Sequence, residues 1–150
     1  MRSGGWASRR RNEMADRITK AEYFKLETPN RPGEGARVLK VLRDAKVNLM
    51  AFTGFPKGRK AQMDFVPTNA AAFQKAMKKA GFRVSGKKTA FLIQGGDRVG
   101  VIHRVMEKLG KAGINATAVD AVTDGKGHYG AILWVKPAEV RKAAKVLGIS

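Results

Sequence analysis

From residue 23 onward the apolar positions of this chain switch repeatedly between a period of two and a period of about 3.6. Residues 23–27 (YFKLE) set Phe24 and Leu26 on one side of an alternating segment, which predicts a strand. Pro29-Asn30-Arg31-Pro32-Gly33 interrupts it as a turn. Val38, Leu39, Val41, Leu42 and Ala45 then recur at helical spacing and predict a helix over 34–45. Strands follow over 47–53 (VNLMAFT) and 61–66 (AQMDFV), joined by a hairpin at Phe55–Arg59. A helix over 69–80 rests on Phe73 and Met77 and ends at Gly81, and Phe82-Arg83-Val84 begins a short fourth strand. The same order then returns: strand 89–94, turn 95–100, helix 101–112 on Ile102, Val105, Met106 and Leu109, strand 114–122, hairpin 124–127, strand 129–135 and helix 137–147. Gly148-Ile149-Ser150 stands where a further strand is due.

The return has a constant offset of 67. Phe24 falls on Phe91, Arg31 on Arg98, Gly33 on Gly100, Leu42 on Leu109, Asn48 on Asn115, Gly58 on Gly125 and Gly81 on Gly148. Glycine and asparagine mark special backbone positions, so their coincidence is harder to produce by chance than that of Lys or Ala. The order βαββαβ, twice, predicts an α+β protein: two antiparallel sheets, each with its two helices on one face. Residues 21–86 and 87–150 are the expected modules. Residues 1–20, with Gly4, Gly5 and Ser8 among arginines, read as a flexible basic leader.

At the turn before each first helix the sequence resembles the ACT family of regulatory domains, whose pattern is roughly (D/N)-R-P-G-x-L-x-x-V-x-x-x-L-x-x-x-G-(I/V)-N. The first copy has Asn30-Arg31-Pro32-Gly33, Val38, Leu42, Val47 and Asn48. The second has Asp97-Arg98-Val99-Gly100, Ile102, Val105, Leu109, Gly113, Ile114 and Asn115. The second departs at Val99, where proline is usual. The first departs at Gly35, where leucine is expected, and at Lys46, where the helix-ending glycine is expected, which predicts strain at the end of that helix. The resemblance spans about residues 22–149 and implies a ferredoxin-like fold and binding of an amino acid or related metabolite between modules. By that resemblance Asn30 and Asp97 supply the polar contact, with Arg31 and Arg98 beside them. Gly33 and Gly100 let the backbone approach, and Leu49 and Ala116 offer backbone from the neighbouring module across a dyad. Asp97 carries a charge that suits an ammonium group, whereas Asn30 is neutral. Helix capping explains Asn30 and Asp97 about as well as ligand binding does. Asn48 and Asn115 read as structural, closing the turn from helix to strand.

Other motifs carry less. Gly125-Lys126-Gly127-His128-Tyr129-Gly130 has the letters of a dinucleotide loop but is followed by a strand, so it reads as a hairpin. Gly81 to Gly86-Lys87 is spaced like a phosphate loop, but Lys88 stands where Ser or Thr would bind magnesium. His103 and His128 have no second ligand at metal spacing and read as solvent-facing. No catalytic set, metal or cofactor is expected.

Composition changes the picture in one respect. Among 150 residues, 43% are hydrophobic, enough for a core, and the absence of cysteine excludes disulfides and thiolate chemistry. No apolar run approaches the ~20 residues of a membrane span, and no export signal is visible, so a cytoplasmic protein is expected. Charge is the odd feature. Lys and Arg number 30 against 12 Asp and Glu, a formal +18, and residues 1–20 hold only six of the basic and two of the acidic residues. The excess belongs to the folded part. The bland reading is solvated surface. The functional one is a basic adaptor that docks on nucleic acid or an acidic protein. RNA-recognition domains share the βαββαβ order, but residues 60–66 and 128–135 lack their aromatic motif, which leaves non-specific phosphate binding. The leading expectation is a small-ligand-binding, allosteric regulatory protein, not an enzyme. It would work as a homodimer and act on a regulated enzyme partner.

Overall fold

A computed structural model of the chain describes residues 16–149. It contains six strands, β1 (Arg17–Pro29), β2 (Leu49–Lys57), β3 (Lys60–Pro67), β4 (Lys88–Gly96), β5 (Ala116–Thr123) and β6 (His128–Val135). Its α-helices are α1 (Glu34–Asp44), α2 (Ala70–Lys79), α3 (Val101–Lys111) and α4 (Val140–Val146), the last preceded by a single 3-10 turn at Pro137–Glu139. Two compact units result. One is Glu22–Lys88; the other runs from Thr89 onward and includes the start of β1 as far as Ala21.

In the Glu22–Lys88 unit the strands lie in the order β2-β3-β1. β3 pairs antiparallel with both neighbours, with Phe24 opposite Phe65 and Phe52 opposite Phe65. Phe24 and Leu26 of β1 and Met63 and Phe65 of β3 point to one side, where Val38 and Leu42 of α1 and Phe73 and Met77 of α2 close over them. Each helix thus contributes an i, i+4 pair, the spacing that stacks two side chains on one face. Phe73 stacks on Phe24 at 4.9 Å between ring centres. Asn69 caps α2, its side chain accepting from the Ala72 N–H at 2.9 Å.

The second unit follows the same plan. β6 lies between β4 and β5, with Phe91 opposite Leu133 and Val119 opposite Leu133. Val101, Val105 and Leu109 of α3 and Ala143, Ala144 and Leu147 around α4 cover Phe91, Ile93, Ala131, Leu133 and Val135. On the far side of β4 lies the start of β1, and Ile18 packs against this core. In this unit the place expected for a fourth strand is therefore taken by the beginning of the chain's first strand.

The expected repeat reappears in the backbone. Left-handed φ values occur at Gly33 and Gly100, Lys46 and Gly113, Gly58 and Gly125, and Gly81 and Gly148, four pairs each 67 residues apart. The two register shifts in the hairpins, at Leu49/Ala51 and Ala116/Ala118, keep the same offset. Lys46, at φ 58°, is the only non-glycine among the described residues with positive φ, which bears out the strain expected there.

Three expectations are corrected. β1 begins at Arg17, not at residue 23, so residues 17–20 of the expected leader are strand; residues 1–15 lie outside the described residues. Residues 82–84 form no strand. Instead Ser85 bonds to β1, its N–H donating to the Lys25 carbonyl and its hydroxyl accepting from the Lys25 N–H, both at 2.9 Å. A side chain there replaces a backbone partner, so the regular ladder does not start. Finally, neither Asn30 nor Asp97 is a helix cap. The cap positions of α1 and α3 are Gly33 and Gly100, and no side chain caps either helix. No helix of the described residues is long and apolar enough to cross a membrane.

Candidate ligand-binding site

Each candidate turn is a strand end running through a left-handed glycine into a helix. Gly33 has φ 90° and ψ −11°, and Gly100 has φ 79° and ψ 12°. This backbone suits glycine and lets the chain reverse within three residues. The first N–H of each helix is held by a carbonyl of the turn, that of Glu34 by Arg31 at 3.4 Å and that of Val101 by Arg98 at 3.3 Å, while no side chain caps the N–H groups that follow, at the positive end of the helix dipole.

The two turns differ in what fills that end. In the first, Glu34 is the first residue of α1, and it is buried. It accepts from Arg37 at 2.7 Å and from Arg31 at 3.1 Å. The hydrogen bond from Arg37, with that from Arg31, holds the Glu34 carboxyl below its usual range. Arg31 is thus spoken for, and a carboxylate of the chain already sits at the helix start. Asn30 is exposed beside it. In the second turn the first turn of α3 has no acidic residue. Asp97 is exposed, and among the described residues its carboxylate has no hydrogen bond or ion pair. Its backbone N–H donates to the Gly127 carbonyl at 2.8 Å, which ties the turn to the β5–β6 hairpin.

Arg98 points the other way, into the unit. Its guanidinium donates to the Gly96 carbonyl at 2.9 Å and pairs with Asp16 at 3.1 Å. Tyr129 donates its hydroxyl to the same Asp16 carboxylate at 2.6 Å. Burial opposes the charge on Asp16, but the hydrogen bonds from Tyr129 and Arg98 outweigh it and hold the carboxyl below its usual value. Tyr129 is pushed up, by burial first and then by Asp16. Gly95 makes room for this cluster, since a Cβ there would lie 2.7 Å from Asp16 Oδ1 and 3.1 Å from its backbone nitrogen. Asp16 is the residue that the sequence reading missed. It fell inside the expected leader, and its partners are 82 and 113 residues away, so no local pattern could announce it.

The remaining candidates lie elsewhere. Leu49 and Ala116 open β2 and β5, each half-buried and each at a register shift. Such bulges re-aim the backbone and are frequent beside functional sites. Along β6, Ala116 pairs with Val135, whereas Gly96, next to the turn, pairs with His128. At about 3.3 Å per residue, the two ends of the unit are about 23 Å apart. The first unit repeats the separation, with Leu49 opposite Pro67 and Pro29 opposite Lys60. Within one unit, then, a small ligand touching the turn cannot touch the opening of the second strand.

None of the eight candidate residues lines either of two cavities found in the unit from Thr89 onward. An open one of about 610 Å³ lies beside the second turn, lined by Gln94, Gly96, Asp124, Gly127 and His128 among others. Asp124 shapes its hairpin wall, accepting from the N–H groups of Lys126 at 2.7 Å and His128 at 3.1 Å. These backbone bonds hold the Asp124 carboxyl below its usual range. A smaller cavity of about 390 Å³ lies between Asp16, Ile18, Arg104, Lys108 and Leu147. Among the described residues no cluster of three or more His, Asp or Glu could hold a metal ion. His103 and His128 are exposed, and His128 faces Asp124 at 3.1 Å.

No family model matches the sequence, and no curated protein matches it. Solved structures do match. A protein from Bacteroides thetaiotaomicron superposes with a TM-score of 0.75 at 18% identity, over 87% of this chain and 88% of that one. The ligand-free regulatory subunit of aspartate kinase from Thermus thermophilus gives 0.62 at 15% identity, over 89% and 94%. The same subunit from Thermus flavus gives 0.58 at 18% identity, over 89% and 95%. At these identities the likeness establishes the fold: the chain is an α+β protein built on the ferredoxin-like plan found in these regulatory subunits.

Proposed function

We propose that the chain is a tandem pair of ACT modules, residues 21–86 and 87–150, that binds an amino acid or related metabolite and passes its occupancy to an enzyme partner. The observation that carries this reading is the second turn. There an uncapped helix start behind Gly100 has no acidic residue in its first turn, and the Asp97 carboxylate beside it is unpaired. An α-carboxylate suits the helix N–H groups and an α-ammonium suits Asp97. The first turn is the weaker site, because Glu34 already occupies its helix start.

The 23 Å separation supports a shared site. If the ligand also meets the bulged opening of a second strand, at Leu49 or Ala116, that strand comes from another module or a second copy of the chain. Binding then alters how modules sit together, which gives occupancy a mechanical readout. The likeness to regulatory subunits of aspartate kinase fits a partner of this kind. A thermal-shift screen against the twenty amino acids tests the proposal. A saturable rise in melting temperature with one or a few of them is expected, since a ligand of the folded state stabilises it by mass action. A flat screen across all twenty contradicts an amino-acid ligand.

A further inference from the structure

The positive charge of the chain is lopsided. Residues 22–88 hold 15 Lys and Arg against five Asp and Glu, whereas residues 89–150 hold nine against five. The two stretches share one fold plan, so the fold itself does not require the excess.

Much of it gathers at one end of the Glu22–Lys88 unit. Pro29, at the end of β1, is opposite Lys60, and Lys60 is opposite Lys57 across the β2–β3 hairpin. The hairpin tip, with Arg59, therefore lies at the same end as the turn carrying Arg31. α1 starts from that turn, and its Arg37 lies over the Phe82 ring at 4.9 Å. Phe82 follows α2 directly, its N–H bonded to the Met77 carbonyl, so the end of α2, with Lys78, Lys79 and Arg83, belongs to the same end of the unit. Two carboxylates answer these eight cations. Glu27 faces Lys57 at 3.6 Å and Lys60 at 3.9 Å, and Glu34 holds Arg31 and Arg37. Arg59, Lys78, Lys79 and Arg83 are exposed and have no carboxylate partner among the described residues. Lys78 and Lys79 also suit a helix C-terminus, but Arg59 at a hairpin tip and Arg83 beyond the helix gain nothing there.

The repeat supplies an internal control. Lys57-Gly58-Arg59-Lys60 corresponds to Asp124-Gly125-Lys126-Gly127, and Arg83 to Ser150. Lys126 and Lys145 keep the charges of Arg59 and Lys78, whereas Asp124, Gly127, Val146 and Ser150 stand where the first unit has Lys57, Lys60, Lys79 and Arg83, so four of these cations belong to the first unit alone.

We infer that this end of the Glu22–Lys88 unit is a docking surface for the phosphate backbone of nucleic acid. Its cations stand on long, exposed side chains spread over a turn, a hairpin and a helix end. Charges on three separate elements offer several contacts along a polyanion rather than one site for a small anion, and each phosphate neutralised releases a condensed counterion. The inference does not rest on the amino-acid site at the second turn, and the cations changed in its test lie outside the first turn as well.

The test is fluorescence anisotropy of a labelled 20-base-pair DNA duplex with the full chain between 50 and 300 mM salt. Six net charges neutralised predict a slope of log K against log salt of roughly −5. Changing Arg59→Ala, Lys78→Ala and Lys79→Ala together should reduce its magnitude by about 3. The matched change Lys126→Ala, Lys142→Ala and Lys145→Ala, with the same loss of charge in the other unit, should leave the slope unchanged. Circular dichroism melts confirm that both variants are folded. Absence of binding at 50 mM salt, or an equal loss in the two variants, overturns the inference. So does binding to phosphatidylserine vesicles without binding to the duplex, which would make the surface a membrane contact.

Discussion

Lys46 shows how much a single residue can reveal. It occupies the left-handed backbone at the end of α1 that Gly113 occupies at the end of α3. A side chain there is strained, while glycine costs some chain entropy in exchange. Lys46→Gly should therefore stabilise the protein by roughly 0.5–1 kcal/mol, read as a rise in the urea midpoint with an unchanged slope. A drop in midpoint would show that Lys46 has a role beyond closing the helix. Asp16 makes the opposite point, being invisible in sequence yet central in structure. Its carboxyl is held below the ordinary 3.8 by Tyr129 and Arg98 against burial. An acid depressed in the folded state adds stability above its unfolded pKa and loses it as pH falls through the folded value. Asp16→Asn should cost about 1–2 kcal/mol at pH 7, and the gap to the native protein should close as pH falls below 3.8. A gap that stays constant with pH would mean that the charge on Asp16 contributes nothing. The residue scale was thus legible where backbone rules act, at the paired glycines, and not where contacts join distant segments.

Elements were legible where their periodicity is strong. Every helix and every central strand was visible from its apolar spacing, with ends shifted by a few residues. The two failures share a cause. The start of β1 was hidden because residues 17–20 carry only Ile18 as an apolar signal, and their partner strand β4 comes some 70 residues later. The expected strand at 82–84 failed because Ser85 meets β1 through its side chain. The docking of that early segment depends on Gly95, whose missing Cβ leaves space for Asp16. Gly95→Ala places a methyl 3.1 Å from backbone that cannot give way as a flexible side chain would, and it should destabilise the protein by about 1–3 kcal/mol. Hydrogen exchange should rise along β4 and β1 in that variant. Unchanged protection there would mean that the early segment docks without Gly95.

At the scale of the whole chain, the offset of 67 that aligned glycines in the sequence also aligns four pairs of left-handed residues and two bulges. One plan is used twice, and the copies have diverged in charge. The copy from Glu22 fills its helix start with Glu34 and gathers cations at that end, whereas the copy from Thr89 keeps its helix start open beside an unpaired Asp97. The candidate turns were legible from the motif alone. That the turn and the second-strand opening are about 23 Å apart within a unit was not, because separation along β6 depends on strand register. The most direct measurement is a calorimetric titration of the amino acid that gives the largest thermal shift into the native protein, Asp97→Ala and Asn30→Ala. Saturable binding is expected in the native protein, with at least a tenfold loss in Asp97→Ala and little change in Asn30→Ala. Equal affinity in the native protein and Asp97→Ala would contradict it.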